Sequence, residues 1–369
     1  MFSRSDHEYM ALAIRLAAKG MYTTDPNPRV GCVLVRDAKV IGKGFHERTG
    51  QAHAEVNAIA DTGGEARGAT AYVSLEPCSH HGRTPPCAEA LVTAGVSRVV
   101  CAMQDPNPEV AGSGIKLLEA AGINVETGLL EAQAMALNPG FVSRMNQQRP
   151  YVRCKLGMSL DARTAMANGE SQWITGPEAR EDVHCLRARS SAILTGMGTV
   201  SADDPSLTCR LENDHERENK AEQPLRVILD TQGKISPQAK LLAQSGNTLI
   251  FTRDKQVLAA LESDSVSICE VPTDSQGLSL QAVMQELARR EMNEVLLEAG
   301  KTLSGAMLQA GLVDELVIYM APVLMGDDAR GLVHLPAVQH LADNIPLRIS
   351  DMRAVGNDWR ITAHPEKRT

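Results

Sequence analysis

The feature that most constrains this chain is a set of three separated segments: His53-Ala54-Glu55, Glu76-Pro77-Cys78 at the end of an expected strand, and Cys87 at an expected helix start. An imidazole and two thiolates are a normal protein ligand set for catalytic zinc, leaving the fourth position to water. The thiols must be deprotonated, and a helix N-terminus favours negative charge, which suits Cys87. Bound zinc pulls the pKa of its water towards neutrality. Glu55, two residues past His53 on a first helical turn, could reach that water and shuttle its proton. Folding must therefore carry three segments to one point.

The remaining cysteines, Cys32, Cys101, Cys154, Cys185, Cys209 and Cys269, read as small buried hydrophobes. Eight cysteines over 369 residues do not suggest a disulfide framework. His80 and His81, beside Cys78, are rival ligands ranked below His53. If either completed a four-ligand shell, the site would be a structural zinc module instead. The order His-x-Glu followed by Pro-Cys matches the signature of zinc deaminases. That signature places its second cysteine after two residues, whereas eight intervene here.

Helical and strand-length apolar runs alternate through the first third. Ser5 or Asp6 is expected to cap a helix to about Lys19, ended by Gly20. Strands are expected over 30–35 and 40–45, joined across Asp37-Ala38, then over 71–75 and 96–102. Helices are expected over 53–61 and from Pro85-Pro86 to Thr93. The polar stretch 144–150 lacks an apolar period and is read as the domain boundary, giving domains 1–147 and 148–369. Beyond it, strands are expected over 151–156, 192–195, 225–230, 247–252, 294–298 and 315–320, with helices over 177–189, 279–291 and 302–309. The charged stretch 211–223 reads as an exposed loop. Helices between short apolar strands make both halves α/β.

A net charge of −8 argues against a nucleic-acid face. This weakens the alternative of a tRNA-base deaminase fused to an unrelated domain, while a few arginines could still hold one phosphate. No apolar run reaches the roughly eighteen residues of a membrane span, and the N-terminus lacks the apolar core of a secretory signal. A cytoplasmic protein with a small-molecule substrate is expected, and homo-oligomerisation is allowed.

The run Pro77-Cys78-Ser79-His80-His81-Gly82-Arg83-Thr84-Pro85-Pro86-Cys87 resembles the long-spaced cysteine segment of the bifunctional riboflavin-biosynthesis deaminase/reductase family. So do Asn27-Pro28-x-Val30-Gly31 and Gln104-Asp105-Pro106-Asn107-Pro108. In the second half Ser159-Leu160-Asp161, Glu170-Ser171-Gln172-Trp173-Ile174-Thr175 and Asp203-Asp204-Pro205-x-Leu207-Thr208 also resemble it. The resemblance covers nearly the whole chain and accounts for the eight-residue gap. It implies a cytidine-deaminase-like three-layer α/β/α domain followed by a dihydrofolate-reductase-like α/β domain. By similarity His53, Cys78 and Cys87 hold one Zn2+ per chain and Glu55 shuttles the proton. Asn27 and His46 would meet the pyrimidine and ribose, and Arg83 the phosphate. The implied substrate is 2,5-diamino-6-ribosylamino-4(3H)-pyrimidinone 5′-phosphate, attacked at C2 with loss of ammonia.

Two phosphate-loop lookalikes occur in the second half. Gly300-Lys301-Thr302 ends like a Walker A loop, but Val295 stands where that motif needs its first glycine. Gly196-Met197-Gly198-Thr199-Val200-Ser201 has Ser201 at the third glycine position of a dinucleotide fingerprint. Both keep a strand–glycine–helix form that presents free N–H groups to a phosphate. The resemblance implies NADPH, lined by Gly157, Trp173, Thr199, Asp203, Thr231 and the stretch Gly300-Lys301-Thr302-Leu303-Ser304-Gly305-Ala306. Lys155, Ser171, Arg187, Leu207, Arg210 and Glu298 would face the substrate, with Arg187 and Arg210 as phosphate clamps and Lys155 and Asp161 near the ribose. Ala162 stands where the family often has glycine. The implied reaction reduces the ribosyl group to ribityl by hydride delivery to C1′, with Glu298, Lys155 and water as candidate proton donors.

Overall fold

A computed structural model of the chain describes residues 1–79, 86–108, 110–211, 222–275 and 277–366. It divides into the units Met1–Arg149 and Pro150–Thr369. Among the described residues, no helix is long and apolar enough to cross a membrane.

The first unit runs α1 (Arg4–Ala17), β1 (Gly31–Arg36), β2 (Lys39–Phe45), α2 (Ala54–Asp61), β3 (Thr70–Val73), α3 (Cys87–Thr93), β4 (Arg98–Cys101), α4 (Ser113–Ala120), β5 (Asn124–Thr127), α5 (Glu131–Leu137) and α6 (Pro139–Gln147). Its sheet order is β2-β1-β3-β4-β5, with β1 antiparallel to both neighbours and β3, β4 and β5 parallel. Alternation along the strands sends side chains to opposite faces. Cys32, Leu34, Val73 and Val99 pack with Ala58, Leu91 and Leu118 of α2, α3 and α4. Val33, Tyr72 and Val100 pack on the other face with Met10 and Ala13 of α1 and Ala134 of α5. This gives three layers, α/β/α. The β1–β2 hairpin turns through Asp37 (φ 52°) and Ala38 (φ 58°), the left-handed pair that matches strand twist in two-residue hairpins.

The structure refines the sequence reading at three points. The cap of α1 is Ser3, not Ser5 or Asp6. Asp6 is instead the third helical residue of a capping box, its carboxylate accepting the Ser3 N–H at 2.7 Å. Asp6 also accepts from Tyr72 Oη at 2.6 Å and Arg98 at 2.7 Å, which ties the helix to the sheet. Within the stretch 144–150 read as the boundary, the units divide between Arg149 and Pro150, and residues 144–147 form the last turn of α6, which buries Gly140 and Ser143. The elements between 113 and 147 were not anticipated, because α4, α5 and α6 are short and each buries few apolar side chains.

The second unit runs β6 (Tyr151–Ser159), β7 (Arg163–Ala165), α7 (Pro177–Ala188), β8 (Ala192–Gly196), α8 (Met197–Asp203), β9 (Leu225–Leu229), β10 (Thr248–Thr252), β11 (Val266–Glu270), β12 (Thr273–Asp274), β13 (Gly277–Leu278), α9 (Leu280–Arg289), β14 (Glu294–Leu297), α10 (Lys301–Gln309), β15 (Glu315–Ala321), β16 (Arg330–Gly331), β17 (Leu347–Val355) and β18 (Asp358–Pro365). Nine strands form one sheet in the order β11-β10-β9-β8-β14-β6-β15-β18-β17. The strands from β11 to β15 are parallel, and β18 and β17 add antiparallel at one edge. The parallel strands end along one edge, where ligands of open α/β sheets bind. The hairpin β17–β18 was missed because β17 is almost wholly exposed and carries no buried alternation.

The charged stretch 211–223 lies mostly outside the described residues, but Gln223 is not a loose loop residue. Its amide accepts from Cys209 N–H at 2.9 Å and donates to Cys209 O at 2.8 Å, clamping the segment that follows Leu207.

Candidate active sites

α2 begins at His53, which is its N-cap, so His53 and Glu55 lie on the first turn. This turn sits hard against β2. A Cβ on Gly44 would stand 2.3 Å from Ala54 O, so no side chain fits there. Cys78 follows β3, and Cys87 opens α3 after Pro86. Folding brings His53 Nδ1, Cys78 Sγ and Cys87 Sγ within 4.8 Å of one another. His53 Nδ1 is 3.2 Å from Cys87 Sγ and 3.6 Å from Cys78 Sγ. A tetrahedral zinc at ordinary bond lengths sets its N and S ligands about 3.5 Å apart, so these atoms fit one zinc ion. Among the described residues this is the one His/Cys/carboxylate group that could hold a metal. His80, His81 and Arg83 lie outside the described residues.

Glu55 is buried beside the ligands, and that burial pushes its carboxyl up to about 7. The Cys78 thiol is drawn down to about 4, chiefly by the hydrogen bond from Cys87. Its partner Cys87, giving that hydrogen bond, is pushed the other way. The Cys87 backbone N–H also donates to Cys78 Sγ at 3.4 Å, the helix-start contact that stabilises a thiolate. His53 is raised by its contact with Cys78.

His46 and Asn27 meet next to this group. The His46 ring packs edge-on to His53 with centroids 5.2 Å apart. Burial lowers its pKa, favouring the neutral ring. His46 Nδ1 is 3.1 Å from Ala52 O, which can only accept, so Nδ1 carries the proton. Nε2 is then an acceptor for the Asn27 amide N–H at 3.2 Å. That leaves Asn27 Oδ1 as the acceptor.

Glu76, to which the sequence reading gave no role of its own, holds Cys78 in place. The buried Glu76 carboxylate accepts the backbone N–H groups of Asp105 (3.1 Å), Gly112 (3.0 Å), Gly114 (2.9 Å) and Ile115 (3.3 Å). It thus caps α4 and pins the turn that carries Pro77-Cys78. The only sequence signal was an acid next to the Pro-Cys pair, which resembles many solvent-facing acids.

In the second unit the expected residues separate into groups. Thr199, on α8, accepts the Gly300 N–H at 3.2 Å, so the two strand–glycine–helix turns stand side by side. Gly300, Lys301 and Thr302 are exposed, whereas Ser304 and Gly305 turn into the core. Ser304 donates to Ala299 O at 3.2 Å, and a Cβ on Gly305 would lie 2.0 Å from His334 O. Within 300–306 the outward part is therefore the first turn, whose N–H groups have no acceptor in their own helix. Thr231 follows β9, Asp203 ends α8 exposed, and Gly157 sits half-buried on β6 with Thr175 3.6 Å from where a Cβ would stand. Trp173 is 71% exposed, with the Arg180 guanidinium 4.8 Å from its ring centroid. Ser171 is half-buried nearby in sequence.

Arg187 does not offer an open fork. Its Nε and second terminal nitrogen grip Glu298 at 2.6 and 2.9 Å, and the other terminal nitrogen donates to Thr208 O at 2.9 Å. Burial disfavours the Glu298 charge, but Arg187, with Lys155 near, holds the carboxyl below its ordinary range. Arg210 is exposed, while Leu207 is buried. Asp161 is not free for a ribose either. It accepts the N–H groups of Met325 (3.1 Å) and Gly326 (2.8 Å) and bonds Ser159, closing the β6–β7 turn in which Ala162 adopts φ 59°.

His184 was also missed. Its Nδ1 accepts the Arg210 N–H at 3.2 Å, and its pKa falls to about 4 through burial first and then the charges of Arg187 and Arg210. A folded value below the ordinary 6.5 means that protonation favours the unfolded chain. The contribution of His184 to stability is therefore complete above about pH 6.5 and fades as pH falls towards about 4. Melting temperatures measured across that window should fall less steeply for His184→Gln than for the wild type. Parallel curves would refute the assignment.

The pattern of the cytidine and deoxycytidylate deaminase zinc-binding region matches residues 3–103, and that of the RibD C-terminal domain matches residues 150–361. The riboflavin biosynthesis protein RibD of Escherichia coli K12 is 50% identical over 96% of this chain and 97% of its own length. The chain belongs to the RibD family. The RibD of Haemophilus influenzae is 49% identical, with 99% of both chains covered. The solved structure of Acinetobacter baumannii RibD superposes with a TM-score of 0.92 at 45% identity, covering 99% of each chain. A Thermotoga maritima deaminase/reductase superposes at 0.86 with 32% identity over 98% of this chain and 99% of its own. As in the RibD family, the first unit is the cytidine-deaminase-like domain and the second the reductase domain.

Proposed function

We propose that the chain deaminates 2,5-diamino-6-ribosylamino-4(3H)-pyrimidinone 5′-phosphate in its first unit and reduces the ribosyl group with NADPH in its second, giving 5-amino-6-ribitylamino-uracil 5′-phosphate. The observation that carries this reading is the convergence of His53, Cys78 and Cys87 beside the buried carboxyl of Glu55, in a chain matched by a two-domain deaminase/reductase over nearly its whole length.

His53, Cys78 and Cys87 would hold zinc, which supplies the Lewis acidity that activates water. Glu55, raised to about 7, takes up and returns a proton near neutral pH at its carboxyl oxygens. Asn27 Oδ1 is the acceptor for a substrate N–H, with the amide oriented by its hydrogen bond to His46 Nε2. Arg83 is the phosphate-holding residue of this reading.

In the second unit the Thr199–Gly300 pair and the exposed first turn of α10 offer N–H donors suited to the cofactor phosphates. NADPH carries the hydride, and the protein orients it. A carboxylate held ionised by Arg187 cannot supply a proton at neutral pH, so Glu298 serves as an acceptor for a substrate hydroxyl. The proton donor is then Lys155 or water. The reading includes a cytoplasmic site of action, where thiolate ligands stay reduced.

Mass spectrometry of products from the diaminopyrimidine phosphate tests both halves. Without NADPH the mass should shift by one exchange of amine for carbonyl oxygen. With NADPH two further hydrogens should appear. An unchanged substrate in the zinc-loaded protein would overturn the reading.

A further inference from the structure

The groups assigned to the cofactor lie along one edge of the nine-stranded sheet, and they stop at Thr231. The edge itself continues. Gly196 of β8 pairs with Leu229 of β9, Leu229 with Phe251 of β10, and Phe251 with Cys269 of β11. These four residues form one rung across four parallel strands. Gly198, Thr231, Arg253 and Val271 each stand two residues past that rung, on the ligand-binding side. Neighbouring strands are about 4.8 Å apart. Phe251, two residues before Arg253, is thus two strand spacings, roughly 10 Å, from Gly196, where β8 gives way to α8. Thr231, past the end of β9, stands on the strand between them.

Arg253 opens onto a cavity of about 360 Å³, lined also by Glu270, Val271, Pro272 and Thr273. It is exposed, and among the described residues no hydrogen bond or ion pair engages its guanidinium. The cavity's one acid, Glu270, accepts the Lys255 N–H at 3.2 Å.

The same edge argues against a ribose bearing a free 2′-hydroxyl. In doubly wound dinucleotide folds, sites that take NADH have a carboxylate past a strand end to bind the ribose diol, while an arginine nearby accommodates the 2′-phosphate of NADPH. Asp230 occupies the strand end in β9's continuation, but it is 1% exposed. Its two oxygens accept the N–H groups of Lys234 (2.9 Å) and Ile235 (2.8 Å). It has no face left for a diol.

We propose that Arg253 reads the 2′-phosphate of the cofactor and so sets the preference for NADPH over NADH. The inference rests on the reductase reading above. A planar guanidinium with free donors can bind a phosphate monoester through two parallel hydrogen bonds, and neither Asp230 nor Thr231 can replace that charge.

The test uses the full chain and measures binding apart from turnover. Titration calorimetry compares adenosine 2′,5′-bisphosphate with adenosine 5′-monophosphate, and steady-state kinetics compare NADPH with NADH. The wild type should bind the bisphosphate more tightly and prefer NADPH. Arg253→Ala should weaken bisphosphate binding about 10- to 100-fold, leave the monophosphate affinity unchanged, and raise KM for NADPH more than for NADH. Arg253→Lys should recover part of the loss, and both variants should melt with the wild type. An Arg253→Ala protein that keeps wild-type bisphosphate affinity and cofactor preference overturns the proposal alone. A wild type that neither binds these nucleotides nor oxidises NADPH overturns the reductase reading with it.

Discussion

Glu55→Gln is expected to lower deamination by about 10²- to 10⁴-fold, the usual contribution of a positioned acid/base group, while the protein retains its zinc. Glutamine keeps the shape of the side chain and its place on the first turn of α2, so His53 keeps its orientation. What it loses is the ability to bind and release a proton. Glu55 is 3% exposed, so bulk water cannot easily substitute. The carboxyl, raised to about 7 by that burial, has its two protonation states near balance at neutral pH, as proton movement in both directions requires. Metal content by mass spectrometry and ammonia release by coupled assay decide the matter. Deamination within tenfold of the wild type would remove Glu55 from the mechanism, and loss of zinc would recast it as a support for the ligands.

Gly114→Ala is expected to weaken zinc binding by about 100-fold, although it changes no ligand. An added Cβ would lie 1.9 Å from Pro77 O. Carbon and oxygen cannot approach so closely, so either α4 retreats from Glu76 or Pro77 moves. Glu76 resists the first, because its carboxylate holds four N–H groups at the start of α4 and in the preceding loop. Moving Pro77 carries Cys78 away from Cys87 and His53. Disturbing outer-shell support usually costs about 10- to 100-fold in metal affinity, and a backbone displacement of the ligand itself belongs at the upper end. Zinc titration against a competing chelator measures the loss. A Gly114→Ala protein with wild-type zinc affinity would show that the loop yields without moving Cys78.

The metal group was legible because its chemistry restricts residue types. Few side chains bind zinc, and His53, Cys78 and Cys87 each fall at a helix start or strand end, so order and type sufficed. The three-layer pattern was legible where a short apolar run is bounded by turn signals, as in β1, which is buried on both faces. It faded where elements are short or exposed, as in α4 to α6 and in β17. The reductase residues were named from family resemblance, and the sequence could not say what each touches. Arg187 looked like a phosphate clamp because arginines often are. Only folding put the strand end carrying Glu298 against its helix.

By itself the sequence determined which atoms could bind a metal, where the chain alternates between strand and helix, and that the whole length resembles a two-domain enzyme. These are properties of residue type and local spacing. Tertiary structure alone decided that Glu76 pins the Cys78 turn, that Asp161 and Asp230 accept backbone N–H groups, and that Arg253 shares an edge with Thr231 and Gly198. The reason is that hydrogen-bond partners far apart in sequence are chosen by strand order and register, and those depend on how the whole sheet assembles.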